Sequence, residues 1–432
     1  MDINTLSFLV FVLVLAFAVY LKRKEAEISA LGIMFKTRKF KKIAVKLASR
    51  YPRFWKAYFN LGILISFFLM GCAIYFLLKI AVNLLIGFKA PTLALVFPGP
   101  TASPHFYPGI ILIPVWYWVI GIATLVIPHE FSHAIALALN RLRIKSFGAF
   151  LLFFILPGAF VEPDEKQLKK ARKKKQLQVY AAGSFANFLM GFCFLALFHF
   201  FLFSCFSYDG ISYVYPAKVI NKGDILENHS LEGGIIELKT KNSSYVIPKA
   251  LLEIQENRTR IIVFENWPAA RNNLSGAIKR IDNLEVHSFA DLRKIISRHK
   301  PGDKINIETS EGNYTITLAN KDGKAFLGIS PPLSYQYALN LLGSEFLVNC
   351  LFPQSYKQYS LKKLPLAAGS FIYQLLFFLY NICFSVAMIN LLPIKPLDGG
   401  LILETLTNRK IAKLVSGVFF ILLLYVFLGP YI

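Results

Sequence analysis

Three residues able to do chemistry stand within five positions of an apolar stretch: His129, Glu130 and His133 in His129-Glu130-Phe131-Ser132-His133. On a helix, positions i and i+4 project from one face about a turn apart, so the two imidazoles can hold one tetrahedral metal ion. Glu130 stands beside them as general base toward an activated water. The chain has 7 His in 432 residues, and a chance match to this spacing is on the order of one in a hundred or rarer. The surrounding run, Val119–Leu139, is apolar. Ionisable groups in such a run are costly unless paired or liganded. Polar packing between helices is the plainer alternative, and ligation accounts better for three such groups together.

A zinc site needs a third protein ligand and an open fourth position. Asn390-Leu-Leu-Pro-Ile-Lys-Pro-Leu-Asp-Gly-Gly400 offers Asp398, a hard oxygen donor, 265 residues after His133. Gly399 and Gly400 let backbones approach closely, and Pro393 and Pro396 interrupt a helix so that the Asp can turn inward. Taken alone, Asp398 would more often be a helix-end carboxylate. A further stretch, Gly183-Ser-Phe-Ala-Asn187, has small residues suited to close helix contact. Asn187 and Asn390 are candidates to hydrogen-bond a substrate backbone or a developing oxyanion. An interhelical hydrogen bond is the alternative for each.

The elements that must carry these residues follow from composition. Of the 432 residues 55% are hydrophobic, 40 of them Phe, and the mean hydropathy is +0.50. A water-soluble surface cannot be covered with so few polar groups. Apolar length gives six spans, at 3–21, 58–88, 109–139, 177–206, 366–392 and 411–431. The first, with basic residues after it, is read as a retained span and not a cleaved signal. The segment Tyr337–Phe352, interrupted by Glu345 and Asn349, is read as interfacial.

The net charge of +23 is concentrated beside spans: twelve Lys/Arg against two Glu between Lys22 and Lys56, and seven Lys/Arg in Lys166–Lys175. This is the positive-inside signal, with no nucleic-acid reader motif beside it. Residues 22–57 and 140–176 and the loop with Lys395, Arg409 and Lys410 are therefore expected in the cytoplasm. Residues 89–108 and 207–335, with both termini, are expected outside. His133 lies eight residues before Arg141, about 12 Å of helix from that boundary. Asp398 is delivered to the same side. The five Cys are scattered without a C-x-x-C pair, which argues against a thiolate site or a disulfide framework.

Four regions result: 1–57, a first span and basic loop; 58–206, a membrane core; 207–335, a polar insertion; and 336–432, a second part of the core. All five N-x-S/T sequons fall in the insertion, at Asn228, Asn242, Asn257, Asn273 and Asn313; glycosylation there would require an extracytoplasmic face. Its pattern predicts strands at Arg260–Phe264 and Ala277–Ile281 and helices at Pro268–Asn273 and Ser288–His299. Asp303–Thr309 and Tyr314–Leu318 read as a hairpin around Glu311-Gly312-Asn313. The order over about 260–330 resembles a PDZ domain, particularly Asn266–Leu274 and His299–Asp303.

Together, the motifs at 129–133 and 390–400, with a PDZ-like insertion between them, resemble the site-2 protease family of intramembrane zinc metalloproteases. The resemblance implies a polytopic α-helical membrane protein of about six spans with an inserted extracytoplasmic α+β domain. It implies one zinc per chain on His129, His133 and Asp398, with Glu130 as catalytic base. Gly183–Asn187 resembles the family's Gly-x-x-x-Asn element, and Ile144–Glu162 its membrane-embedded β-hairpin. The implied partners are transmembrane segments of membrane protein substrates within the lipid bilayer, at the cell membrane. A metal transporter or a catalytically silent binding protein is the alternative. A transporter is expected to repeat such residues along a path, and a silent homologue to have lost Glu130.

Overall fold

The computed structural model describes residues 3–23, 26–29, 32–87, 93–152 and 156–431. They form two compact units, Met1–Phe201 with Ser370–Ile432, and Leu202–Gly369.

The first unit begins with α1 (Ile3–Lys22), β1 (Ala26–Ser29), β2 (Gly32–Thr37), α2 (Lys41–Arg50) and α3 (Pro52–Leu85). Pro52 opens α3 at a position where the missing N–H costs nothing. Next come β3 (Leu95–Gly99), β4 (His105–Tyr107), β5 (Ile110–Pro114) and α4 (Val115–Leu139). The third span therefore starts later than its apolar run, which was expected to be helical from 109. Residues 110–114 instead pair parallel with β3 and antiparallel with β4. Pro114 disfavours helix at the residue before it, and the preceding isoleucines favour extended backbone.

After α4 come β6 (Ile144–Leu152) and β7 (Leu156–Pro163), the expected hairpin, with register Phe147↔Val161 and Phe150↔Gly158. Its glycines have a packing reason: a Cβ on Gly148 would lie 2.1 Å from the Phe160 ring, and one on Gly158 2.3 Å from the Phe150 ring. β2 pairs with β6, giving a sheet in the order β1-β2-β6-β7. The segment 22–57, expected as a basic loop, thus supplies two strands and α2. Ala44 and Ala48 of α2 are buried in one core with Ala134, Ile135 and Leu137 of α4.

α5 (Glu165–Lys170) and α6 (Lys173–Cys205) follow. At the junction of α3, α4 and α6 a polar chain is closed. Asn140 donates to Gln178 at 2.9 Å, and Gln178 to Asn60 at 3.0 Å.

The second unit contains two larger antiparallel sheets and a two-stranded ribbon pairing Ala319–Lys321 with Lys324–Phe326. The strands are β8 (Phe206–Ile211), β9 (Ala217–Asn221), β10 (Ile225–Ser230), β11 (Ile235–Thr240), β12 (Ser244–Pro248), β13 (Arg260–Glu265), β14 (Ile278–Ile281), β15 (Leu284–Glu285), β16 (Lys304–Thr309) and β17 (Asn313–Thr317). The longer helices are α7 (Phe289–Ile296), α8 (Leu333–Leu342) and α9 (Glu345–Leu351), with short helical turns at Lys249–Ile254 and at Pro268–Arg271, where a helix was expected, and β18 (Lys357–Leu361) closes the unit. One sheet runs β10-β11-β12-β13-β9; the other runs β17-β16-β14-β8-β18 with β15 on β14. The expected hairpin appears as β16–β17, with Glu308 opposite Asn313.

Two expectations for this unit are corrected. Strand 260–265, expected within the PDZ-like core, lies in the other sheet, between β12 and β9. The segment 337–352, expected to be interfacial, forms most of α8 together with α9, and buries Ala338 and Val348 in the core formed by Ile278, Ile305, Ile307 and α7. The unit consequently ends at Gly369 and not near 335. All five sequon asparagines are exposed on it.

The chain returns to the first unit with α10 (Leu366–Asn390), α11 (Asp398–Leu406) and α12 (Arg409–Leu428). Among the described residues, six helices are long and apolar enough to cross a membrane, namely α1, α3, α4, α6, α10 and α12. Small residues let them pack closely. A Cβ on Gly121 of α4 would lie 2.6 Å from Phe378, and one on Gly191 of α6 2.8 Å from Phe384, both rings on α10.

Candidate metal centre

The site is built on α4. Its imidazoles stand one turn apart, with Nε2 of His129 and Nε2 of His133 separated by 3.1 Å. Immediately before them Pro128 removes one backbone donor from the helix. Phe131, inside the motif, packs edge-on against Phe40 (5.9 Å) and tilted against Phe147 (5.6 Å). This ring cluster fixes the motif's outer face against α2 and the hairpin.

The opposing wall is one stripe of α6, residues Val179, Gly183 and Asn187, spaced four apart. Nδ1 of His133 donates to the Val179 carbonyl at 2.7 Å. That carbonyl can only accept, so the proton sits on Nδ1 and leaves the Nε2 lone pair free. Asn187 faces Nδ1 of His129 at 3.0 Å. Between them Gly183 makes room, since a Cβ there would lie 2.4 Å from His133 Nε2 and 2.5 Å from His129 Nε2.

Asp398 arrives from the start of α11. The two glycines after it let that helix lie on the loop before it: a Cβ on Gly399 would lie 2.1 Å from the Leu391 carbonyl oxygen, and one on Gly400 2.6 Å from Ile394. Lys395 pairs with Glu404 at 2.6 Å across the same turn. The carboxylate then spans both imidazoles, Oδ2 at 3.7 Å from His129 Nε2 and Oδ1 at 3.6 Å from His133 Nε2. The buried Ser184 hydroxyl donates to Oδ2 at 3.0 Å.

These residues fit a metal ion. A tetrahedron with metal–ligand bonds of about 2.0–2.1 Å has edges of about 3.3–3.4 Å; the two Nε2 atoms are 3.1 Å apart, each carboxylate oxygen stands 3.6–3.7 Å from one of them, and one donor atom from each residue can be chosen with all three within 4.8 Å of one another. Two imidazoles and one carboxylate form the His₂-carboxylate set that leaves a fourth position open. The side chains of His129, His133 and Asp398 keep 12%, 15% and 12% exposure, so the protein does not seal the centre completely. Among the described residues, this is the group of His, Cys, Asp and Glu whose geometry suits a metal. Glu130 is half-buried, with the backbone of Val161 in β7 facing its carboxylate.

A model of peptidase family M50 matches residues 117–427. This chain belongs to peptidase family M50. Like other M50 proteins it is a membrane metalloprotease, of the site-2 protease family, whose members are in general zinc-dependent. The M50 match begins inside α4 and spans both motifs; α1, α2 and α3 precede it.

All four residues expected at the centre are here, with Asn187 against His129. Asn390 ends α10, half-buried, at the head of the loop to Asp398. Three contributors were not foreseen in these roles. Ser184 had a signal, as a polar residue beside Gly183 on an apolar helix. Gly183 was noted for helix contact, although its empty Cβ position lies against imidazoles. The Val179 carbonyl has no side-chain signature at all.

Proposed function

We propose that this M50 member hydrolyses peptide bonds within the transmembrane segments of membrane proteins. The convergence of His129, His133 and Asp398 inside a unit of membrane-spanning helices carries the reading. These three residues would hold one zinc per chain, which when bound supplies Lewis acidity, lowering the pKa of water and polarising the scissile carbonyl.

The chain's own groups do the rest. Glu130, next to His129 in sequence, takes the proton from the attacking water and returns it to the leaving amine. Ser184 holds one Asp398 oxygen and keeps the carboxylate turned toward both imidazoles. Asn390 is the candidate donor to the substrate carbonyl. A helical substrate hides its peptide bonds, so it must unwind locally. β7, an edge strand whose backbone faces Glu130, offers unpaired groups on which an extended segment could align.

The charge distribution supports an orientation with 22–57, 140–176 and the Lys395 loop in the cytoplasm and the inserted unit outside. The exposure of all five sequon asparagines is compatible with that side. The inserted PDZ-like region would screen substrates by size.

The test is purification of the full chain in detergent, zinc analysis, and cleavage of a panel of single-span substrates. Wild type should hold about one zinc per chain. Glu130→Gln should keep the metal and lose at least about 100-fold in cleavage, the lower end of a general acid–base contribution. Cleavage that survives Glu130→Gln would overturn the mechanism. Active protein without metal would overturn the whole reading, and zinc flux into vesicles without cleavage would favour a transporter.

A further inference from the structure

We infer that the crevice between α1 and the strands β2 and β6 is a binding site for one acidic phospholipid. An acyl chain lies along its apolar walls, and the phosphate sits at Lys36 and Lys39. The inference rests on the membrane-spanning helices and not on the proposed hydrolysis.

The crevice has a volume of about 480 Å³ and is walled by Leu15 and Val19 of α1, Phe35 of β2, and Phe150 and Leu151 of β6. Lys36, Thr37 and Lys39 complete the lining. β2 passes from Ile33-Met34-Phe35 to Lys36-Thr37 and then to Lys39, so the lining is apolar along its length and basic at one end. That is the shape of an amphiphile. The volume lies within the range of about 300–1,000 Å³ usual for pockets that enclose a small ligand. A transmembrane helix about 10–12 Å across and about 30 Å long fills on the order of 3,000 Å³, so a substrate span does not fit inside.

Charge selects the head group. From Lys36 to Lys56 the chain has nine Lys or Arg and no Asp or Glu. Lys36 is already paired with Glu27 at 3.0 Å, which leaves Lys39 as the uncompensated charge in the lining. Beside it Arg38 and Lys42 are exposed, and among the described residues none of these three has a carboxylate partner. A zwitterionic head group carries its own cation into this excess, whereas an acidic one brings a net negative charge.

The neighbouring helix sets the depth. α2 turns Ala44 and Ala48 inward and leaves Ile43 and Leu47 exposed beside Lys42, Lys46 and Arg50. This is the pattern of a helix lying at the head-group level of a membrane, and Lys39 stands two residues before it. The site also adjoins the metal centre. Phe40, next to Lys39, packs against Phe131 of the His129–His133 motif and against Phe147, at 5.9 Å each. A head group that holds Lys39 in place therefore steadies Phe40 against the motif.

The experiment strips lipid from the full-length protein in detergent and counts bound phosphatidylglycerol by native mass spectrometry. Phosphatidylcholine with the same chains and inorganic phosphate are the comparison probes. One phosphatidylglycerol per chain should bind, ahead of both. Each Lys beside an anionic head group is worth roughly fivefold in affinity, so Lys36→Gln combined with Lys39→Gln should weaken phosphatidylglycerol by about tenfold or more. Lys46→Gln combined with Arg50→Gln removes the same charge about 8–14 Å along α2 from its start, where salt screens it, and should change binding far less. Ala18→Phe fills the crevice from α1, keeps every charge, and should weaken binding as strongly as the two lysine changes.

Equal losses in the two charge variants would show diffuse attraction to a basic surface and overturn the site, as would unchanged binding in Ala18→Phe. Phosphatidylcholine bound as tightly would overturn the head-group assignment, and inorganic phosphate bound as tightly would overturn the acyl chain. A single-span substrate that displaces the lipid would make the crevice a docking groove and overturn the inference. In the cleavage assay phosphatidylglycerol should raise the rate of stripped wild type and not that of the double lysine variant; bound lipid without that rise would overturn the link through Phe40. A protein that binds the lipid but cleaves nothing would overturn the proposed function and leave the lipid site standing.

Discussion

The two units of this chain bury different things. Among the described residues, the membrane unit encloses Ser66, Asn83, Ser132, Ser146, Gln178, Ser184, Asn187 and Ser416, whereas the inserted unit encloses Gln255 and Thr309 and otherwise a core rich in isoleucine. Each follows from its solvent. In water, removing apolar surface is the main source of stability, so Ile278, Ile305, Ile307 and Ile316 go inside. Lipid is as apolar as leucine, and helices gain little by exchanging one for the other. They associate instead through small residues that permit close approach and polar residues that need partners. Several of those features meet at one place, around His129, His133 and Asp398.

The largest effect should come from filling a position the membrane unit leaves empty. Gly183→Ala places a methyl group 2.4 Å from His133 Nε2 and 2.5 Å from His129 Nε2, and those rings cannot retreat without leaving the metal. Zinc per chain in the purified variant should fall far below the wild-type value and cleavage should disappear with it, while the inserted unit keeps its fold. A variant with full zinc content would show that α6 shifts easily and that the comparison overstates the rigidity of the centre.

The converse change belongs in the inserted unit. Ile307 is 1% exposed and sits opposite Tyr314 and Ile281 in adjacent strands. Ile307→Ala should cost that unit about 2–5 kcal/mol, the range for truncating a buried isoleucine, read as a lower denaturation midpoint of the full chain. Zinc content should not change. Loss of zinc in this variant would mean that the two units do not fold as independently as their separate cores imply.

The same contrast explains what could be read from the residues alone. A span needs only length, so all six were legible; His129, Glu130 and His133 stood out because their chemistry is out of place in a span, and Asp398, outside any span, became a candidate only beside that motif and its own prolines and glycines. The β16–β17 hairpin is local and announced itself by alternation, whereas the hairpin over Ile144–Glu162 was expected only from the family resemblance. Pairing over long separations gave no such signal: β2 joins β6 across more than a hundred residues, and β13 joins β12 and β9 in place of the expected PDZ-like core. Apolar pattern also does not say what a helix packs against, which is why α8 and α9 read as interfacial. Ile110–Pro114 shows the remaining limit, because an apolar run preceding a helix can be strand. At the centre, the Val179 carbonyl and the empty Cβ of Gly183 are backbone features, and only the folded arrangement displays them.

The smallest expected effect sharpens the comparison most. Gln178 is 4% exposed and bridges Asn140 and Asn60, with bonds of 2.9 and 3.0 Å. In a water-soluble core, removing it would strand two buried amides, at a cost of about 1–3 kcal/mol for each unsatisfied group. Between membrane helices such bonds average about 0.6 kcal/mol and reach about 1.7 kcal/mol, because the helices find other partners when apart. Gln178→Met, which keeps the length of the side chain and removes its amide, should therefore destabilise the detergent-solubilised protein by less than Ile307→Ala does, and leave zinc affinity unchanged. A loss as large as that of the isoleucine would show that this junction is organised like the interior of a water-soluble protein. The division between the two units would then lie in their residue types and not in the forces that hold them.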